Sequence, residues 1–137
     1  MNSELSCLLS PDRVHTRPID LLAHASDASL YRLVPKAVVR PETVEEVRRL
    51  FRFSREKRIP LCFRAAGTSL SGQAVTDGIL VDLSRHWKGL KVEDGGKRVR
   101  VEPGVIGSFV NAALHPYATR IGPDPASLHA CMMGGIL

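Results

Sequence analysis

The segment from residue 64 to residue 80 concentrates the residue types that bind anions through the main chain. It reads RAAGTSLSGQAVTDGIL, with Gly67 and Gly72 on either side of a hydroxyl-rich run. Glycine permits positive φ and a close approach of the backbone to a ligand. Successive amides in such a turn form a concave anion site. The hydroxyl donors within the run are Thr68, Ser69 and Ser71. The segment is therefore a candidate cradle for a diphosphate.

Two common nucleotide-binding loops do not fit this spacing. The glycines have the G-x-x-x-x-G spacing of a P-loop, but Gln73 and Ala74 stand where lysine and Ser/Thr are required. No G-x-G-x-x-G opens a helix after a strand, which excludes the dinucleotide-binding fingerprint of the Rossmann fold. From these residues alone the segment is either a phosphate cradle or a long connection between strands, rich in turn formers.

Short β-branched runs bounded by proline and glycine predict the strands around this loop. They are KAVVR at 36–40, PLCFRA at 60–65 and ILVDL at 79–83. KRVRVE at 97–102 predicts a further strand, after a turn at 94–96. Strands and helices follow one another without strict alternation, so the sequence predicts an α+β fold, a small sheet packed by helices.

Three helices are predicted from apolar periodicity and end signals. A short one covers 18–25, one begins after Thr43, which forms a capping box with Glu46, and one lies within 105–117. Residues 1–16 are predicted to be a loose arm. The apolar residues expected to face the core are Val44, Val47, Leu50 and Phe51 in the second helix, and Ile106, Phe109, Val110 and Ala113 in the third.

The composition narrows the classes of function. Lys and Arg total 19 against 14 Asp and Glu, an excess that suits an anionic ligand but is also common in domains without one. Aromatic residues are only 5% of the chain, which argues against single-stranded nucleic acid as a partner. The three cysteines form neither a disulfide framework nor a C-x-x-C site, which fits a reducing compartment. No signal peptide, transmembrane segment or metal site is expected.

Three separated motifs are YRLVPKAVVRPETVEEV at 31–47, RAAGTSLSGQAVTDGILVDLSR at 64–85 and IGPDPASLHACMMGGIL at 121–137. Together they resemble the N-terminal part of the FAD-binding domain of the FAD-linked oxidases, the family of vanillyl-alcohol oxidase and p-cresol methylhydroxylase. Within that family they are similar to the branch of D-lactate dehydrogenase and glycolate oxidase subunits. The resemblance implies an N-terminal arm and short helix over residues 1–34, followed over 35–137 by the first half of an FAD-binding domain of the p-cresol methylhydroxylase type.

The resemblance also implies that FAD lies extended, with its pyrophosphate on the glycine–serine loop. Many family members attach the flavin to a histidine beside the loop glycine, where this chain has Thr68. We therefore expect non-covalent FAD. The residues that the resemblance assigns to FAD are Pro35, Arg64, Ala66, Gly67, Thr68, Ser69, Leu70, Ser71, Gly72, Gln73, Pro103, Gly104, Pro123, Asp124, Pro125, Ala126, Ser127, Gly134 and Gly135.

The function implied is that of the FAD-binding portion of a flavin-dependent 2-hydroxy-acid dehydrogenase, acting on D-lactate, glycolate or a similar acid in the full-length enzyme. Family members continue with the rest of the FAD domain and a substrate-binding cap, so no catalytic residue is assigned here. Two alternatives stay open: a truncated, non-catalytic module that self-associates through apolar faces, and the FAD domain of an alcohol oxidase or ether-lipid synthase. The expected location is the cytoplasm, or the inner face of a membrane for the full enzyme.

Overall fold

A four-stranded sheet forms the centre of the protein, which a computed structural model describes over residues 2–137. The strand order is β1-β2-β4-β3. Strands β2, β3 and β4 are parallel, and β1 runs antiparallel to β2. The bounds are β1 Val14–His15, β2 Ala37–Val39, β3 Leu61–Arg64 and β4 Ile79–Asp82. The predicted strands at 36–40, 60–65 and 79–83 are thus confirmed.

The central strand β4 is buried along its whole length, as expected of a parallel strand covered on both faces. Its register places Ile79 opposite Leu61 and Asp82 opposite Arg64. Because β3 and β4 are parallel neighbours, the segment 65–78 between them must cross from one end of the sheet to the other. The loop with the two glycines therefore begins at the C-terminal ends of these strands, where Arg64 and Asp82 lie side by side.

The long helix α3, Val44–Lys57, follows β2 and begins at the predicted capping box. The Glu46 amide donates to the Thr43 hydroxyl at 3.2 Å, and the Thr43 amide donates to the Glu46 carboxylate at 3.3 Å. The predicted apolar stripe was partly wrong: Leu50 is buried and Val47 is half-buried, but the other two residues are not. Val44 and Phe51 are 56% and 55% exposed. The buried residues of the helix are Glu46, Leu50 and Phe53. Glu46 can be buried because it pairs with Arg13, a long-range contact that apolar periodicity does not detect.

The N-terminal residues are part of the core, so the prediction of a loose arm over 1–16 was wrong. Leu5 and Leu9 are buried in one cluster with Leu50 and Phe53 of α3. The segment contains the short helix α1, Asn2–Leu5, a 3₁₀ turn at 11–13 and strand β1. The helix predicted at 18–25 is confirmed as α2, Pro18–Ala23.

A second, smaller unit follows the sheet. The hairpin of β5, Leu90–Glu93, and β6, Arg98–Val101, packs with α4, Gly107–Leu114. Of these strands only β6 was predicted. The helix predicted within 105–117 ends in a 3₁₀ turn at 115–117, and Phe109 is 62% exposed, so the stripe predicted there was partly wrong. The last helix is α5, Met133–Ile136. The mixture of small sheets and helices confirms the α+β class.

Over residues 2–137 none of the helices has the length and apolar character needed to cross a bilayer.

Candidate functional site

The glycine loop faces the C-terminal segment across a cleft of about 610 Å³. The loop side consists of Phe63, Ala65, Ala66, Gly67, Thr68, Ser69, Gln73 and Ala74. The opposite side consists of Pro123, Asp124, Pro125, Ser127, Cys131, Met132, Gly134, Gly135, Ile136 and Leu137. Two motifs far apart in the sequence thus form the two walls of one cleft.

Main-chain hydrogen bonds fix the C-terminal wall to the residues around the start of α4. The Gly134 amide donates to the Pro103 carbonyl at 2.9 Å, and the Ser108 amide donates to the Leu128 carbonyl at 3.0 Å. A β-carbon at Gly134 would lie 2.6 Å from Cβ of Pro103, so only glycine permits this approach. Pro103 therefore supports the wall without lining the cleft.

Both loop glycines adopt the positive φ that glycine permits, +73° at each. The atoms that lie close to these glycines belong to two side chains of the same protein. A β-carbon at Gly67 would lie 2.5 Å from Nη2 of Arg64, and one at Gly72 would lie 2.6 Å from Cδ2 of Tyr31. A side chain at either position would be strained by the positive φ, and it would also displace Arg64 or Tyr31.

The two halves of the loop differ in their hydrogen bonding. The amides of Ser71 and Gln73 both donate to the Ser69 hydroxyl at 3.2 Å. By contrast, the amides of Gly67, Thr68 and Ser69 donate to no partner among residues 2–137. These three residues line the cleft. Gly67, Thr68 and Ser69 therefore offer unpartnered main-chain donors at the cleft, whereas two amides of the second half are already engaged by the Ser69 hydroxyl. The amides of Leu70 and Gly72 also donate to no partner among residues 2–137, but neither residue lines the cleft.

Eleven of the residues predicted to contact a cofactor line this cleft, and eight do not. Leu70, for example, is 80% exposed at the tip of the loop, and Pro35 is fully buried. The eight outside the lining are Pro35, Arg64, Leu70, Ser71, Gly72, Pro103, Gly104 and Ala126. Sequence reasoning missed Phe63, Met132 and Ile136, whose apolar side chains gave no signal to separate them from core residues.

A second cavity of about 340 Å³ adjoins the cleft and shares Ala65, Ala66 and Met132 with it. Its polar lining comes from His24, Arg64, Asp82 and Ser84. None of these except Arg64 was predicted. Asp82 could have been identified from the sequence, because it is a charged residue directly after the apolar run 79–81.

The Asp82 carboxylate is held by several donors. Arg40 Nε lies 2.9 Å from Oδ2, the Ser84 hydroxyl lies 2.6 Å from Oδ1, and His24 Nε2 lies 3.9 Å from Oδ2. Burial raises the pKa of Asp82, but the interactions with these three residues outweigh it and hold the pKa below its ordinary range. In return, Asp82 raises the pKa of His24. The charge of Asp82 is thus balanced within the protein.

This arrangement is suited to binding rather than to proton transfer. Among the described residues that line the cleft, Asp124 has the only carboxylate side chain, and its walls are otherwise amides, hydroxyls and apolar groups. Unpartnered amides bind anionic oxygens, and apolar walls accept a flat uncharged group. An elongated ligand with both features would match the cleft.

Comparison with known proteins agrees with these features. Residues 35–137 match the family described as FAD binding domain. Over 109 residues the chain is 37% identical to the glycolate oxidase subunit GlcD of Escherichia coli (strain K12), covering 78% of this chain and 22% of that protein. Over 117 residues it is 35% identical to the D-2-hydroxyglutarate dehydrogenase of Pseudomonas putida, covering 82% of this chain and 12% of that one. The chain thus spans less than a quarter of either relative.

Solved structures show the same fold. An alkyldihydroxyacetonephosphate synthase matches with a TM-score of 0.80 at 20% identity, over 97% of this chain and 30% of that one. A p-cresol methylhydroxylase with bound substrate matches with a TM-score of 0.74 at 19% identity, over 96% and 27%. These likenesses confirm the predicted fold of the p-cresol methylhydroxylase type.

Proposed function

Because the chain belongs to the family of FAD-binding domains, we propose that the cleft between residues 65–74 and 121–137 holds FAD without a covalent bond, as part of a larger flavin-dependent dehydrogenase of 2-hydroxy acids. The relatives at 35% and 37% identity are named for glycolate and D-2-hydroxyglutarate, which are both 2-hydroxy acids. They favour this substrate class over that of the synthase, whose 20% identity bears on the fold alone.

The observation that carries the proposal is the set of unpartnered amides at Gly67, Thr68 and Ser69. A diphosphate needs several donors that converge on a small volume, and main-chain amides provide them at no side-chain entropy cost. Each such bond to a charged oxygen contributes about 1.5–3 kcal/mol. The apolar side chains of Phe63, Met132 and Ile136 add a surface suited to a planar ring system. The residues present therefore fit FAD.

In this proposal the chain binds and orients, and the bound FAD supplies the acceptor for a hydride. The amides of Gly67, Thr68 and Ser69 hold the diphosphate, and the apolar walls exclude water from the cofactor. No residue of this chain is assigned to binding the hydroxy acid or removing its proton.

Non-covalent attachment is proposed because the position beside Gly67 is a threonine. Among the described cleft-lining residues, the remaining candidate for attachment is Cys131, which is only 4% exposed. We expect acid precipitation of the FAD-loaded chain to leave all flavin in the supernatant. Flavin that stays with the precipitate in the wild type but not in a Cys131→Ala variant would contradict this and identify the attachment site.

The proposed function is tested by titrating the chain with FAD, FMN and riboflavin while following flavin fluorescence. We expect saturable binding of FAD, with FMN and riboflavin at least about tenfold weaker, since the loss of even one hydrogen bond to a charged oxygen costs about 1.5 kcal/mol. ADP, which carries the diphosphate without the flavin, should compete with FAD. Equal affinity for FAD and riboflavin, or no binding of FAD by the folded chain, would contradict the proposal.

A further inference from the structure

A short β-hairpin, residues 25–33, precedes the part of the chain that matches the family. The Leu33 amide donates to the Ala25 carbonyl at 3.0 Å, and Ser26 pairs with Arg32 in an antiparallel bridge. The turn is organised by the Asp27 carboxylate, which accepts from the Ser29 amide at 2.9 Å and from the Ser29 hydroxyl at 2.5 Å. Residues 25–33, called the strap below, therefore form a hairpin that is held together by its own hydrogen bonds.

The strap is bound to the beginning of the glycine loop. Nη1 of Arg64 donates to the carbonyl of Ser26 at 2.9 Å and to that of His24 at 3.2 Å. The Ala28 amide donates to the Gly67 carbonyl at 3.2 Å. Since the same guanidinium occupies the space where a β-carbon of Gly67 would be, Arg64 is packed between the strap and the loop.

The strap is also bound to the end of the loop. The Ala74 amide donates to Oδ2 of Asp27 at 3.2 Å, and the ring of Tyr31 lies against Gly72. Burial raises the pKa of Asp27, but hydrogen bonds from Ser29 and Ala74 outweigh it and lower the pKa below the ordinary value, so the side chain is a carboxylate at neutral pH. One element thus holds both ends of the loop.

We propose that the strap is a structural part of the diphosphate site, with Asp27 and Arg64 as the positioning residues that hold the loop in the conformation that leaves the amides of Gly67, Thr68 and Ser69 unpartnered. This inference rests on the proposed binding of FAD. A loop rich in serine and threonine readily turns its hydroxyls onto its own amides, as Ser69 does with Ser71 and Gln73. Fixing both ends before the ligand arrives lowers the ordering cost of binding.

The test compares Asp27→Ala with Asp27→Asn and with a matched control, Asp77→Ala. Asp77 is an exposed aspartate of the same β3–β4 connection and makes no hydrogen bond to any residue in 2–137. Two quantities are measured: hydrogen exchange of the amides of 66–74 without ligand, and the Kd for FAD. In Asp27→Ala we expect exchange at least about tenfold faster and FAD at least about tenfold weaker. Asp27→Asn keeps one of the two acceptor oxygens that Ser29 and Ala74 use, so both quantities should fall between those of the wild type and Asp27→Ala, and Asp77→Ala should change neither.

Wild-type exchange rates in the folded Asp27→Ala variant would overturn the inference, and so would a loosened loop with unchanged FAD affinity. If Asp27→Ala does not fold, the same two measurements are made on Tyr31→Ala, which removes the contact of the strap with Gly72. This variant is expected to fold, because the Tyr31 ring is 62% exposed and its loss leaves the core intact. The exchange rates are measured without FAD. A wild-type chain that fails to bind FAD therefore overturns the proposed function, while the rates alone show whether the strap holds the loop.

Discussion

Replacing Thr68 by glutamate is expected to weaken FAD binding by at least about a hundredfold, which corresponds to about 2.7 kcal/mol. Thr68 lines the cleft between Gly67 and Ser69, whose amides are unpartnered. A carboxylate at this position would face the diphosphate with a like charge and would compete with it for the same amides. Like charges brought together in a binding site cost several kcal/mol.

The control for this variant is Thr68→Gln, which adds the same bulk without the charge. We expect it to bind FAD several times more weakly than the wild type but far more tightly than Thr68→Glu. The gap between the two should shrink at high salt, because salt screens the repulsion. The Thr68 side chain makes no hydrogen bond within residues 2–137, so neither variant should lower the thermal midpoint. Equal losses in the two variants would show that bulk, not charge, is responsible.

Replacing Glu46 by alanine is expected to lower the free energy of unfolding by about 3 kcal/mol. Arg13 donates to both carboxylate oxygens of Glu46, at 2.7 and 2.8 Å, and both side chains are nearly buried. The same carboxylate accepts from the amides of Glu42 and Thr43 at the start of α3. The variant would leave a buried guanidinium without its main partner. The cost falls at the low end of the usual range because Glu42 stays 3.4 Å from Arg13.

Glu46→Gln separates the charge from the helix cap, because its oxygen can still accept at the start of α3. The hydrogen bond from Arg13 lowers the pKa of Glu46 below its ordinary value of 4.5. The ion pair therefore stabilises fully above that value, and its contribution is lost as the pH falls through the folded-state pKa. Urea unfolding at neutral pH should show a clear gap between wild type and Glu46→Gln, and the gap should narrow in acid. If Glu46→Ala lowered the free energy of unfolding by less than about 1 kcal/mol, the Arg13–Glu46 pair would contribute no more than an exposed salt bridge, and this prediction would be wrong.

What could be predicted from the sequence was local. The capping box depends on Thr43 and Glu46, three residues apart, and it lies where the spacing placed it. The strand at 79–82 depends on a short apolar run between a glycine and a charge, and the positive φ of Gly67 and Gly72 depends on the turn in which they lie. In each case neighbouring residues contain all the information.

What could not be predicted depends on pairs far apart in the chain. Arg13 pairs with Glu46, and this pairing lets a charged residue lie on the buried side of α3. Asp27 reaches Ala74, a contact that binds the strap to the loop. No spacing rule relates such positions. The loop itself was only half predicted, because its composition did not show that the Ser69 hydroxyl already engages the amides of Ser71 and Gln73.

The central claim is that the amides of Gly67, Thr68 and Ser69 hold the diphosphate of FAD. The most direct measurement is an amide NMR titration of the ¹⁵N-labelled chain with FAD, with riboflavin in parallel. We predict saturable shifts of these three resonances with FAD and much smaller ones with riboflavin, while the amides of Ser71 and Gln73, which already donate to Ser69, move less. Saturable shifts that leave these three resonances in place, or equal shifts with riboflavin, would contradict the account.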